Sequence, residues 1–154
     1  MKVNVNPLLK NLIKSMNYET FNIFPTTIYL GEIDNHKKYK EDFYKVYHKF
    51  DYDDQNTVAN TVSEGYSDPL IHLEPELESL FEEIVNHIKI YVLDVMKYKD
   101  IFNYIITKTW LSRSRNPQMS IPWHTHSTSH ISFTYYINMP PNSHHIMFAD
   151  SSDT

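Results

Sequence analysis

The sequence predicts an α+β fold with helices on one side of an antiparallel sheet, and three observations carry that expectation. Two stretches, 37–50 and 74–95, space their apolar residues by three and four, the period of an amphipathic helix. A third, 131–139, alternates strictly. Ile131, Phe133, Tyr135, Ile137 and Met139 fall on one face, and Ser132, Thr134, Tyr136 and Asn138 on the other. That is the pattern of a strand with one face in a core and one polar face, which in a barrel can line a cavity. Finally, the helices come first and the strands last, which suits segregated layers.

A chain of 154 residues has room for one domain with a real core. The expected layout of 1–154 is an N-terminal helical arm over 1–20, a strand and two bracing helices over 21–100, and strands carrying a histidine cluster over 101–154. A hydrophobic fraction of 41% with 14% aromatic residues belongs to a globular chain. The formal net charge of −5 leaves no basic stripe for nucleic acid. With no cysteine, disulfides and thiolate metal sites are excluded. No apolar run approaches the roughly 20 residues of a membrane helix, and the first residues lack the apolar core of a signal peptide. A soluble, cytoplasmic protein is expected.

In chain order, 7–16 reads as a short amphipathic helix with Leu8, Leu9, Leu12, Ile13 and Met16 on one stripe. The stretch 21–33, rich in aromatic and β-branched residues, reads as a strand interrupted or started at Pro25. In the 37–50 helix the stripe is Tyr39, Phe43, Val46, Tyr47 and Phe50. Residues 51–69 are polar and turn-rich, and read as a long surface loop; the acidic cluster Asp51, Asp53 and Asp54 lacks the glycine and closing glutamate of an EF-hand. Glu74-Pro75 opens the strongest helix, since proline suits the first helical position. Leu77, Leu80, Phe81, Ile84, Ile88, Tyr91, Val92 and Val95 form its stripe, with His87 beside them as a packed or half-exposed histidine rather than a ligand. Residues 104–111 read as another strand. It leads through Arg113 and Arg115, guanidinium groups able to hold a carboxylate by two parallel hydrogen bonds, into the histidines.

Five of the nine histidines lie between His124 and His145. In extended chain His124 and His126 point to one side, and neutral imidazoles are the commonest metal ligands. The pair supplies half of a mononuclear site, and oxygen-activating iron enzymes complete theirs with a carboxylate. His130, His144, His145 and Asp150 are the candidates for a third ligand, although Ser127-Thr128-Ser129 reads as a turn that breaks the parity of His130. Surface or buried histidines without a metal are the competing interpretation. Pro140-Pro141 ends the strand.

The run Trp123-His124-Thr125-His126-(x3)-His130-Ile131-Ser132-Phe133-Thr134-Tyr135-Tyr136-Ile137-Asn138-Met139-Pro140 resembles the signature segment of a family of 2-oxoglutarate/Fe(II)-dependent oxygenases frequent in marine phages. Phe24-Pro25-Thr26-Thr27-Ile28-Tyr29, Glu64-Gly65-Tyr66-Ser67 and Ile146-Met147-Phe148-Ala149-Asp150 extend the likeness in the family's order. The resemblance implies a double-stranded β-helix (jelly-roll) core, possibly incomplete here, with Fe(II) and 2-oxoglutarate as cofactors. It implies hydroxylation-type oxidation of an unknown substrate. By that likeness His124 is the first metal ligand and His126 takes the second ligand place, where many relatives carry an acidic residue, or sits beside it. Tyr136 and Arg115 are the candidate 2-oxoglutarate contacts, Arg115 by chemistry only and not by position.

The family's distal histidine and carboxylate-gripping arginine come from strands beyond the equivalent of Asp150, where this sequence has Ser151-Ser152-Asp153-Thr154. It therefore resembles the first two-thirds of such an enzyme. Two alternatives accompany this expectation. One is a non-catalytic structural or interaction protein, such as a phage-particle component or a homo-oligomer, located in the host cytoplasm or the virion. The other is a cupin-like protein holding metal through three histidines.

Overall fold

The computed structural model describes residues 17–23, 26–50, 60–62, 70–101, 103–114, 123–126, 128–141, 143 and 146–149. The predicted helix at 7–16 lies outside them. The described residues form a mixed α+β structure of two helices and small antiparallel ladders, grouped in two compact units. One comprises the residues up to Asn35 with Ser79–Ile105; the other comprises His36–Glu78 and Ile106–Ala149. Among the described residues no helix is long and apolar enough to cross a membrane.

In the first unit, β1 (Tyr18–Ile23) and β2 (Thr26–Gly31) pair antiparallel from Tyr18↔Gly31 to Ile23↔Thr26. The expected single strand over 21–33 is thus a hairpin that reverses between Ile23 and Thr26, where the sequence has Pro25. Proline cannot donate to a ladder, so the ladder's end falls naturally at that position. Helix α2 (Glu78–Ile90) braces the hairpin and continues as a π turn, Tyr91–Val95, in which the Met96 N–H donates to the Tyr91 carbonyl at 2.8 Å. Lys97 then adopts a left-handed conformation (φ 58°), ending the helix as a residue at that position commonly does.

Leu80, Ile84, His87, Ile90, Val92 and Leu93 are buried along this element. Ile90 follows His87 at helical spacing before the π turn begins, and Leu93 lies within that turn; neither belongs to the expected stripe. The Tyr29 hydroxyl and His87 Nδ1 are hydrogen-bonded at 2.6 Å, and Tyr29 stacks on Tyr18. Burial, with the Tyr18 phenol beside it, pushes the Tyr29 phenol up to about 12. The Tyr18 hydroxyl donates to Asp94 Oδ2 at 2.6 Å, and the Tyr91 hydroxyl to the Thr27 carbonyl at 3.1 Å. Gly31 lies close against the next element: a Cβ on it would stand 2.5 Å from His87 Nδ1, so a larger residue there would have to displace that ring.

In the second unit, α1 (His36–Val46) buries Tyr39, Phe43 and Val46 of the predicted stripe, and a 3₁₀ turn, Tyr47–Lys49, follows it, with the stripe's Tyr47 and Phe50 only half-buried. The 3₁₀ turn Pro75–Leu77 packs on α1 with Leu77 only 1% exposed. Lys49 pairs with Glu74 at 2.8 Å and Glu76 at 3.2 Å. A three-residue strand, β3 (Asn60–Val62), pairs antiparallel with β4 (Ser112–Ser114), so part of the expected 51–69 loop is ladder. The strand expected at 104–111 is not formed among the described residues. The chain there makes one parallel bridge, Leu70↔Thr109, and its ladder starts at Ser112. Thr109 is buried and tied to His72, whose N–H and Nδ1 reach its Oγ1 at 3.1 and 2.9 Å.

The alternating segment 131–139 makes no ladder among the described residues. Ile131, Tyr135 and Ile137 are half-buried while Ser132, Thr134, Tyr136 and Asn138 are exposed, so the period of two survives in burial. Phe133 and Met139, on the same apolar face, are nevertheless exposed. Alternation specifies which side chains share a face; it does not supply the partner strand that ladder formation needs. The segment is tethered to α1 by side chains instead, with a hydrogen bond between His36 Nδ1 and the Tyr135 hydroxyl (2.7 Å) and one from Lys40 Nζ to Asn138 Oδ1 (2.6 Å).

Candidate metal centre

His124 and His126 come together. Their rings stack with centroids 5.0 Å apart, and the two Nε2 atoms approach to 3.0 Å. The local chain explains the arrangement. One residue between them sends both side chains to the same side, and the expected turn comes at once, closed by the Ser129 N–H donating to the His126 carbonyl at 3.2 Å. That turn brings Ser132 back beside the histidines, its Oγ 2.9 Å from His126 Nδ1. On another side the Trp110 ring meets His126 in an edge-on contact at 5.3 Å, with the Lys108 ammonium 5.3 Å from the centre of the indole. His126 is half-buried; His124 is exposed.

Each neutral imidazole has one N–H and one lone pair. Two nitrogens 3.0 Å apart therefore suit an N–H···N hydrogen bond, and equally a pair of lone pairs directed at one cation. Imidazole nitrogens about 2.1 Å from a metal and at right angles to each other are about 3.0 Å apart. The donor set thus fits two adjacent positions of a divalent metal. Ligating histidines characteristically hydrogen-bond through the other ring nitrogen, and Ser132 stands at that atom of His126.

His130 is exposed, and among the described residues no group of three His, Asp or Glu side chains converges as a metal site. His144, His145 and Asp150, the other candidates for a third ligand, lie outside the described residues, as does Arg115. Tyr136 is described: its side chain is 44% exposed, and partial burial raises its phenol above the ordinary value. An open groove of about 320 Å³ belongs to the first unit and is lined by Tyr18, Thr20, Thr27, Asp94, Val95 and Lys97, so the histidines take no part in it.

Reading the sequence alone missed two neighbours of the pair. The sequence places Ser132 on a polar strand face and in the signature run without tying it to His126, although a hydroxyl six residues beyond His126, across an expected turn, is a usable signal. Trp110 had no signal, because its approach depends on tertiary folding. No family model, curated protein or solved structure matches the chain.

Proposed function

We propose that the chain is a 2-oxoglutarate/Fe(II)-dependent oxygenase-like protein with a double-stranded β-helix core, carrying out hydroxylation-type oxidation of an unknown substrate. The observation that supports this reading best is the pair of imidazole nitrogens at 3.0 Å with Ser132 at the far side of one ring. His124 and His126 would hold the metal as two of its protein ligands. When bound, ferrous iron and 2-oxoglutarate supply the O₂-dependent oxidation of a C–H bond; the protein's residues hold the ligands and limit access of water. Tyr136 offers a hydroxyl toward 2-oxoglutarate, and Arg115 a guanidinium suited to its far carboxylate. The host cytoplasm is the location this reading carries. Adding Fe(II) and 2-oxoglutarate to the protein without oxygen is expected to produce a weak visible charge-transfer band. A flat spectrum from a folded sample contradicts the reading.

A second reading, a non-catalytic interaction protein such as a component of a phage particle, is favoured by a different observation. Trp123 (60% exposed), Met139, Ile146, Met147 and Phe148 all present apolar surface in the histidine-bearing part of the chain, and aromatic and Met side chains are enriched in protein interfaces. Recovery of the chain in fixed stoichiometry from a purified assembly, free of metal, would favour this reading. The three-histidine variant of the metal reading requires His130, His144 or His145 as third ligand, and metal analysis of the three alanine variants decides it.

A further inference from the structure

We propose that Ser132 is a positioning residue for His126, a hydroxyl that turns to suit either tautomer of the ring, with Trp110 restricting the ring's rotation. This inference rests on the reading of His124 and His126 as metal ligands and assigns the part of the site that prepares them. Ser132 Oγ lies 2.9 Å from His126 Nδ1, and His126 Nε2 lies 3.0 Å from His124 Nε2. The three groups form a short chain whose proton arrangement is set by what lies at the Nε2 end.

With no cation present, His126 can carry its proton on Nε2 and donate it to His124 Nε2; the Ser132 hydroxyl then donates to the bare Nδ1. With a cation at the pair, both Nε2 lone pairs must be free. The His126 proton then resides on Nδ1 and is donated to the Ser132 oxygen. The ring keeps one proton throughout, and the hydroxyl changes from donor to acceptor. A hydroxyl serves both states because its hydrogen rotates. A methyl serves neither, and a carboxylate would accept only, favouring a single tautomer. The Trp110 ring, edge-on at 5.3 Å, limits rotation of the imidazole about its bond to the chain, so that Nδ1 remains opposite Ser132. Ser132 is exposed and outside any helix or ladder, so its replacement leaves the fold intact.

The test is a cobalt(II) titration of the full chain, read by calorimetry and by visible absorption, on the unaltered protein and on Ser132→Ala and Ser132→Thr. Loss of a hydrogen-bond partner behind a metal ligand weakens binding about 10–100-fold. Ser132→Ala is expected to show a loss of that size with an unchanged circular dichroism spectrum, and Ser132→Thr, which keeps the hydroxyl, to restore binding to within a few-fold. If the unaltered protein takes up no cobalt, the metal reading fails and this assignment with it. If the unaltered protein binds and Ser132→Ala binds equally well, the positioning role alone is overturned. Labelling of Ser132 by a fluorophosphonate, with loss of fluoride and dependence on His126, would also overturn it, because the serine would then be a nucleophile.

Discussion

The π-extended helix α2 and the histidine segment 123–139 both carry clear periodic patterns, yet the structure treats them differently. Along α2 the pattern is satisfied in place: Ile90 is 0% exposed, His87 is buried against Tyr29, and each hydroxyl of Tyr18, Tyr29 and Tyr91 has a partner. In the histidine segment the alternation is only half-used, with Met139 48% and Trp123 60% exposed, and the close contacts are polar ones around His126. A helix satisfies its own backbone and needs only a surface to lie on, whereas a strand needs a partner for every other N–H and C=O. Stability in this chain therefore concentrates in the helical cores, and candidate chemistry in the open segment.

The largest expected stability effect lies on the packed side. Ile90→Ala leaves a cavity under α2 and is expected to cost about 2–5 kcal/mol in urea unfolding; a loss no greater than that of a surface substitution would break the contrast. Gly31→Ala comes next. Its new methyl meets His87, which is held by its helix and by Tyr29, as well as the Tyr29 ring at 2.8 Å. Overpacking of this kind costs about 1–3 kcal/mol, and a melting temperature equal to that of the unaltered protein would show that the pair yields freely.

His87 adds a pH signature to the same core. Burial holds its imidazole below the ordinary value of 6.5, opposed in part by Glu83, the Glu32 backbone and Asp34. The unfolded chain therefore takes up the proton first as pH falls. This contribution to stability is complete above 6.5 and declines as pH drops from there through the folded-state value. His87→Gln, which can still accept from Tyr29, is expected to flatten the slope of urea midpoint against pH in that window, and an unchanged slope would assign it to other groups. The smallest effect belongs to the open segment: Met139→Ala is expected to change stability by less than about 0.5 kcal/mol. A larger loss would mean that this face is covered in solution.

The helices were legible because their information is local. The Tyr39–Phe43–Val46 stripe, written in three-and-four spacing, appears where expected, along with the α+β class; at Glu74-Pro75 the proline opens a separate 3₁₀ turn, Pro75–Leu77, and the long helix begins only at Glu78. The ladders were less legible. Asn60–Val62 pairs with Ser112–Ser114 across some fifty residues of chain, and nothing in either short segment names the other. The pairing of Tyr18–Ile23 with Thr26–Gly31 goes beyond the expected strand interrupted or started at Pro25, because a proline marks a break in a strand without naming the segment that pairs across it. At the site, the proximity of His124 and His126 came from parity alone, while Trp110 and Ser132 required the folded chain to bring them in.

The metal centre stands or falls on whether the two Nε2 atoms are presented to a cation. Nitrogen-detected NMR of the imidazoles during zinc(II) titration tests this most directly, since zinc is diamagnetic and binds imidazole sites more tightly than ferrous iron. Stepwise movement of the His124 and His126 Nε2 resonances together, saturating at one equivalent while His36, His72 and His87 hold still, is the predicted result. If those two resonances stay in place, or the pair keeps a shared Nε2 proton with zinc in excess, His124 and His126 are a hydrogen-bonded surface pair and the metal centre does not exist.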